Sequence, residues 1–268
     1  MKPTSNDILP QPFAWIPIPE GKVTLTPNDT DKKESYLKQD TTYIVPAFEM
    51  AKYPTTNAQF KLFIDAGGYD EKRWWTDDDW RAKLAGWGYE RGWESTGKAW
   101  TKPRYWDDSI WNGAEHPVVG VSWYEAVAFC NWLSETTGEK IMLPTEQQWQ
   151  RAAQGDNGLI YPWGNDWDGN FCNNSVKPHD SHQTTPVRQY EGKGDSPCGV
   201  VDMAGNVWEW CKTVYETGIQ DLQGIDVRVL RGGSWDDFNR AGFRAVDRSR
   251  GYSHDWYKDI GFRIARSR

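Results

Sequence analysis

What this sequence has little of narrows it first. Only four of its 268 residues are His and four are Cys, too few for dense zinc clusters or a disulfide framework. Cys130, Cys172, Cys198 and Cys211 form no C-x-x-C pair; they fit buried free thiols, with a Cys172–Cys198 bridge as the alternative. His179 and His182 share the polar stretch KPHDSHQTTP, where a solvated pair is a simpler reading than a metal site. No segment approaches the ~18 consecutive apolar residues of a membrane-spanning helix. The opening MKPTSNDILPQPFAWIPIPEG has no apolar run suited to export. Positive charge is scattered: the net charge is −7 with 31 Lys and Arg, which argues against a nucleic-acid partner.

Aliphatic residues are also sparse, with 38% hydrophobic residues and a mean hydropathy of −0.81. Aromatic residues make up the deficit: 18 Trp, 12 Tyr and 9 Phe bury large areas from few positions, so low hydropathy does not imply disorder.

The short runs FAWIPI, KVTL and TTYIVPAFEM, broken by Pro and Gly, predict strands at a sheet edge or corner. Helices follow, each announced by a capping box: Thr56 with Gln59, Ser122 with Glu125, and Thr145 with Gln148. Stops are predicted at Gly67, Gly68 and Gly155. In SWYEAVAFCNWLSETTG, the residues Trp123, Ala126, Val127, Cys130 and Leu133 fall on one helical stripe. The Trp-rich, acidic stretch from Tyr69 to Trp106 predicts a short helix and an aromatic surface loop. Beyond Tyr161 the chain is loop-rich, with short strands at VRVLRGG and GFRIAR. No repeat or linker divides it, so residues 1–268 are expected to form one α+β domain with few helices and many irregular segments.

The ordered set YPTTNAQF, HPVVGVSWYEAVAFCNWLS, LPTEQQWQRAAQG, YPWGN, DMAGNVWEW, RGGSW and GFRIAR resembles the formylglycine-generating-enzyme family, also called sulfatase-modifying-factor domains. The resemblance implies a C-type-lectin-like fold with two helices, a short antiparallel sheet, long ordered loops, and the first and last strands close together. Enzymes of that family oxidise a sulfatase cysteine through two copper-binding cysteines just after Gly-Gly-Ser. Here those places fall on Asp237 and on Gly242 or a neighbour, and no cysteine follows Cys211. Neither a carboxylate nor a glycine replaces a thiolate as copper ligand and redox partner, so no copper and no such activity are expected. In DMAGNVWEW the resemblance implies a structural calcium held by Asp202, the carbonyls of Gly205 and Val207, and Glu209, with oxygen ligands of the type calcium takes. The alternative is a Trp-anchored loop in which Glu209 only accepts hydrogen bonds. A second calcium site is implied near Asn173, Asn174 and Asp180.

The stretch from RGGSW to IGFR also resembles the C-terminal variable region of proteins from bacterial diversity-generating retroelements, which use the same fold. Its boundaries match Gly232–Trp235 and Ile260–Arg263. Between them, Asp236, Asp237, Phe238, Asn239, Asp247, Ser249, Gly251, Tyr252, Ser253, His254, Asp255 and Tyr257 carry residue types suited to adaptable recognition; Trp256 and Lys258 do not fit that alphabet. The resulting expectation is a non-catalytic, receptor-like protein that recognises a protein or cell-surface ligand. Its location would be the cell surface through a leader not contained in this chain, with a membrane touched only through a lipid anchor. A formylglycine-generating oxidase and calcium-dependent carbohydrate binding are the alternatives.

Overall fold

Polar side chains that satisfy the first free N–H groups of a helix set where the helices begin. Gln59 N–H donates to Thr56 Oγ1 at 3.3 Å and Thr56 N–H donates back to Gln59 Oε1 at 3.1 Å, opening a helix at Asn57–Asp65 (α2), after a short first turn at Ser5–Ile8 (α1). The same reciprocal pair opens Asp77–Ala85 (α3), Trp123–Thr137 (α4) and Glu146–Gln154 (α5), and each such cap contributes about 1 kcal/mol. The computed structural model describes residues 2–27, 33–88, 96–222, 224 and 226–267.

α4 buries the expected apolar stripe and more. Trp123, Ala126, Val127, Cys130 and Leu133 are buried, but so are Tyr124, Glu125, Ala128, Phe129 and Trp132, so the helix is enclosed on nearly every side. Glu125 tolerates this because Ser122 N–H and Oγ–H donate to one carboxylate oxygen and Tyr69 O–H donates to the other.

The early strands form where the short runs predict: Trp15–Ile18 (β1), Gly21–Leu25 (β2), Thr41–Val45 (β3) and Phe48–Ala51 (β4). β2 and β3 make a separate ribbon. β1 lies at an edge as expected, whereas β4 is interior, in a sheet ordered β1-β4-β10-β5 with Ile141–Met142 as β5 and Ala265–Ser267 as β10. Both chain ends therefore share one sheet. A second sheet, ordered β8-β7-β6-β9, contains Trp208–Val214 (β6), Val227–Arg231 (β7), Ser249–Tyr252 (β8) and Ile260–Gly261 (β9).

GFRIAR, read as one strand, is divided between these sheets. Gly261 pairs in parallel with Glu209, whereas Ala265 pairs antiparallel with Met50. Phe262 and Ile264 cross between them, fully buried, and the Phe262 ring packs edge-on against Phe129, centroids 5.5 Å apart. Alternation identifies buried positions but not which sheet each end joins.

The Trp-rich stretch supplies the expected helix, α3, and residues 96–99 are exposed outside any helix or strand. Trp74, Trp75 and Trp100 are buried in the main core, because rings of that size are the means by which a chain poor in aliphatics fills its interior. Residues 89–95 of this stretch lie outside the described residues. All four cysteines are free. Among the described residues no helix is long and apolar enough to cross a membrane.

Candidate functional site

β7 ends in a sharp reversal, with Gly232 at φ +105 and Gly233 at φ +75, a backbone region costly for any residue with a Cβ. The reversal delivers Ser234, whose N–H and Oγ–H donate to Asp237 Oδ2 at 2.8 and 2.9 Å. The Trp208 side chain also hydrogen-bonds to this carboxylate, and burial raises the Asp237 pKa. A Cβ built on Gly242 would meet only Asp237 Oδ1, at 3.8 Å. Positions 237 and 242 thus abut, as a pair of cooperating cysteines would have to, but they hold a carboxylate and a hydrogen. Elsewhere, burial pushes the thiols of Cys130, Cys172 and Cys211 up, away from the reactive thiolate.

The residues expected to hold calcium are otherwise engaged. Arg263 donates to both oxygens of Glu209, and Trp149 Nε1 donates to Oε2 at 2.7 Å. The Gly205 carbonyl accepts Val207 N–H at 2.9 Å. Asp202 is buried, its pKa raised to about 7 by desolvation; Oδ2 accepts from Asn206 at 2.9 Å while Oδ1 has no partner. A guanidinium thus already neutralises Glu209, while the buried Asp202 Oδ1 is left without a partner. At the second implied site, Asn173 Oδ1 accepts from Ser181 and Asn174 Oδ1 accepts Val176 N–H, so both amides brace the loop. Asp180 is exposed, within 3.8 Å of His182.

The stretch from 236 to 257, patternless in sequence, is partly regular. β8 pairs antiparallel with β7, Ser249 opposite Leu230 and Tyr252 opposite Val227. The Asp236–Asn239 tip leaves the Arg231 end of β7, and the turn after Tyr252 lies at the Val227 end. The candidate positions fall into groups by this register. At the first end Asp236, Phe238 and Asn239 are exposed, Phe238 at 81%; Asn239 also caps a 3-10 turn by accepting Ala241 N–H. At the other end Tyr252 is 41% exposed and stacks on His254, centroids 5.8 Å apart. His254 itself is buried, which lowers its pKa.

Other members of the stretch are structural. Ser253 Oγ donates to Asp226 O at 2.6 Å and Asp255 Oδ2 accepts Tyr252 N–H at 3.0 Å; both residues are buried and fix the turn. A Cβ on Gly251 would lie 2.7 Å from the Trp210 ring. Asp247 lies 3.7 Å from Arg244, and the Tyr257 carbonyl accepts Gly120 N–H. The fold therefore does not bring all the candidate positions to solvent.

Sequence reasoning missed the cavity beside this turn. It measures about 240 Å³ and is lined by Asp78, Arg81 and Ala82 of α3 with Trp87, Tyr124 and His254. Trp87 meets His254 edge-on at 5.8 Å. Nothing in sequence spacing joins residue 87 to 254; only the packing of α3 against the C-terminal segment does.

The architecture is that of solved structures with the C-type-lectin-like fold of the formylglycine-generating-enzyme type. PvdO from Pseudomonas aeruginosa superposes with a TM-score of 0.69 at 22% identity, covering 95% of this chain and 94% of that one. Treponema denticola variable protein 1 does so with a TM-score of 0.65 at 20% identity, covering 96% and 95%. The family model described as "Sulfatase-modifying factor enzyme 1-like domain" matches residues 6–268, and the chain belongs to that family. The mouse protein named inactive C-alpha-formylglycine-generating enzyme 2 is 30% identical over 287 residues, covering 95% of this chain and 86% of that protein. Hercynine oxygenase of Mycobacterium tuberculosis is 35% identical over 211 residues, covering 71% of this chain and 46% of the enzyme. The chain thus spans about half the length of that relative.

Proposed function

We propose that this chain is a non-catalytic binding protein that presents side chains between Asp236 and Tyr257 to a protein or cell-surface ligand. The observation that carries this reading is the pairing of Ser234 with Asp237 beside Gly242, where the oxidising members of the family need two thiols. A carboxylate held by three donors neither binds copper(I) as a thiolate does nor passes electrons. The exposed Phe238 and Tyr252 offer apolar contact area on a rigid scaffold. Relatives named as inactive and as a variable protein support the same reading. The working location is the cell surface.

Copper titration in the presence of a cysteine-containing sulfatase peptide tests this. The expected result is no stoichiometric copper and no conversion to formylglycine; turnover would overturn the proposal. Asp237→Cys combined with Gly242→Cys is the positive control, since a Cβ at 242 is sterically accommodated, and it is expected to gain copper binding. Sequencing the DNA around the gene tests the variable-region part: a near-copy of the segment encoding 232–263 beside a reverse transcriptase supports it, and finding neither removes it.

A further inference from the structure

We propose that Asn157–Gly158 is a site of covalent self-modification, at which the folded protein loses ammonia and acquires aspartate and isoaspartate forms, while the fold protects the chain's other Asn-Gly step, Asn112–Gly113. The sequence holds these two steps and does not distinguish them. In each, glycine has no Cβ to shield its backbone nitrogen, so that nitrogen can attack the side-chain amide carbon of the asparagine before it.

The folded chain treats the two steps differently. Asp156, Asn157 and Gly158 are all exposed in the turn that leaves α5. Before the step, Gly155 N–H donates to Arg151 O at 3.0 Å and Asp156 pairs with Arg151 at 2.7 Å. After it, the Leu159 carbonyl accepts from Gln154 Nε2 at 2.9 Å. Between these anchors, among the described residues, nothing accepts from Gly158 N–H or from the Asn157 side-chain amide. A Cβ built on Gly158 would meet nothing within 4 Å, so this peptide has room to turn its nitrogen onto Asn157 Cγ.

At Asn112–Gly113 the corresponding groups are tied. Asn112 Nδ2, the nitrogen that would leave, donates to Trp106 O at 3.1 Å, and Asn112 N–H donates to Asp108 O at 3.1 Å. The Gly113 carbonyl accepts from Asn57 Nδ2 and from His116 N–H, both at 3.0 Å. A Cβ on Gly113 would lie 2.7 Å from the His116 ring. Attack requires rotation of both the Asn112 side chain and this peptide, so local opening must come first. Losing several hydrogen bonds to reach that opening slows the step by at least about tenfold.

The reaction needs only water and hydroxide. The Gly158 nitrogen, deprotonated by hydroxide, bonds to Asn157 Cγ; the Cγ–Nδ2 bond breaks, and the amide nitrogen leaves as ammonia with protons from water. Water then opens the cyclic imide at either carbonyl, giving aspartate or isoaspartate at 157 with no change of oxidation state. The product adds one negative charge to a net charge of −7, next to Asp156, and the isoaspartate form lengthens the main chain by one carbon. The protein therefore accumulates a more acidic form as it ages. None of the residues proposed for the binding face takes part.

The test is incubation of the intact folded protein at mildly alkaline pH and physiological temperature, followed by peptide mapping that separates asparagine, aspartate and isoaspartate. Residue 157 is expected to gain the mass of an amide-to-acid exchange, with isoaspartate among the products, and Asn112 to convert at least about tenfold more slowly. In urea, where the contacts of Asn112 are gone, the two steps should convert at similar rates. Asn157→Gln, an exposed change that spares the fold, should remove the acidic form on isoelectric focusing, because glutamine closes to an imide far more slowly. No conversion at 157, conversion of Asn112 as fast as Asn157 in the folded protein, or aspartate alone at 157, the product of direct hydrolysis, would each overturn the proposal. A difference between the steps that persists unchanged in urea would assign it to neighbouring residues and overturn protection by the fold.

Discussion

Arg263 grips Glu209 through two parallel hydrogen bonds, Nε to Oε2 at 2.7 Å and Nη2 to Oε1 at 2.6 Å, with both side chains buried. The same guanidinium donates to the carbonyls of Ala51, Val201 and Asp202. One residue from the crossing between β9 and β10 thereby ties β4, the 201–202 loop and β6 together. Bidentate, charge-assisted bonds of this kind are the strong ones, and Lys cannot reproduce the fork.

Removing half of this pair leaves a buried carboxylate alone. Arg263→Met is expected to lower unfolding free energy by about 3–5 kcal/mol, while Arg263→Met with Glu209→Met loses much less because no charge is left unpaired. Urea denaturation of both variants checks this; equal losses would mean that the ion pair itself has no special role.

Because the guanidinium supplies the positive charge at Glu209, calcium should not stabilise the fold through Asp202, Gly205, Val207 and Glu209. After chelation, added calcium is expected to leave the thermal midpoint within about 1 °C, where saturation of a structural site would raise it by several degrees. A saturable rise that Asp202→Asn abolishes would restore the cation to this loop.

Asp255 gives the stability a pH dependence of known sign. Burial raises its pKa to about 6 in the folded state, above the ~3.9 of an unfolded aspartate. The folded state therefore holds the proton more tightly, so the contribution of this group is fully present below about pH 4 and is lost as pH rises through about 6. Asp255→Asn keeps an oxygen to accept Tyr252 N–H and cannot ionise. It should raise stability at pH 7.5 by about 1–3 kcal/mol and remove this group's share of the slope between pH 4 and 6. Thermal unfolding across that interval is the measurement; an unchanged slope would contradict the burial of a charged Asp255.

The stretch from 236 to 257 should divide sharply into free and fixed positions. Phe238→Ala and Tyr252→Ala, at exposed sites, are expected to change stability by less than about 0.5 kcal/mol while abolishing partner binding. Gly251→Ala places a carbon 2.7 Å from the Trp210 ring and should cost about 1–3 kcal/mol through overpacking. Denaturation midpoints of the three variants distinguish surface from core.

Local chemistry made much of the scaffold readable. Thr56, Ser122 and Thr145 mark helix starts because a capping box uses only groups three residues apart. VRVLRGG, read as one short strand, instead ends at Arg231, because Gly232 and Gly233 turn through positive φ, where a residue without a Cβ is least strained. That no cysteine follows Cys211 is equally a matter of residue identity, legible before any coordinates. β8 was not legible: Ser-Arg-Gly-Tyr has no strand pattern of its own and is a strand because β7 offers it a partner.

What the sequence by itself determined is therefore the family fold and the helix starts, carried by contacts within a few residues or by side-chain type. Tertiary structure alone decided that Arg263 neutralises Glu209, that Ser253, His254 and Asp255 turn inward, and that Trp100 meets Trp256 around Arg104. Arg263 and Glu209 are 54 positions apart, and Arg104 and Trp256 more than 150. Their energies depend on burial and on which charge lies nearest, quantities that exist only once distant segments pack.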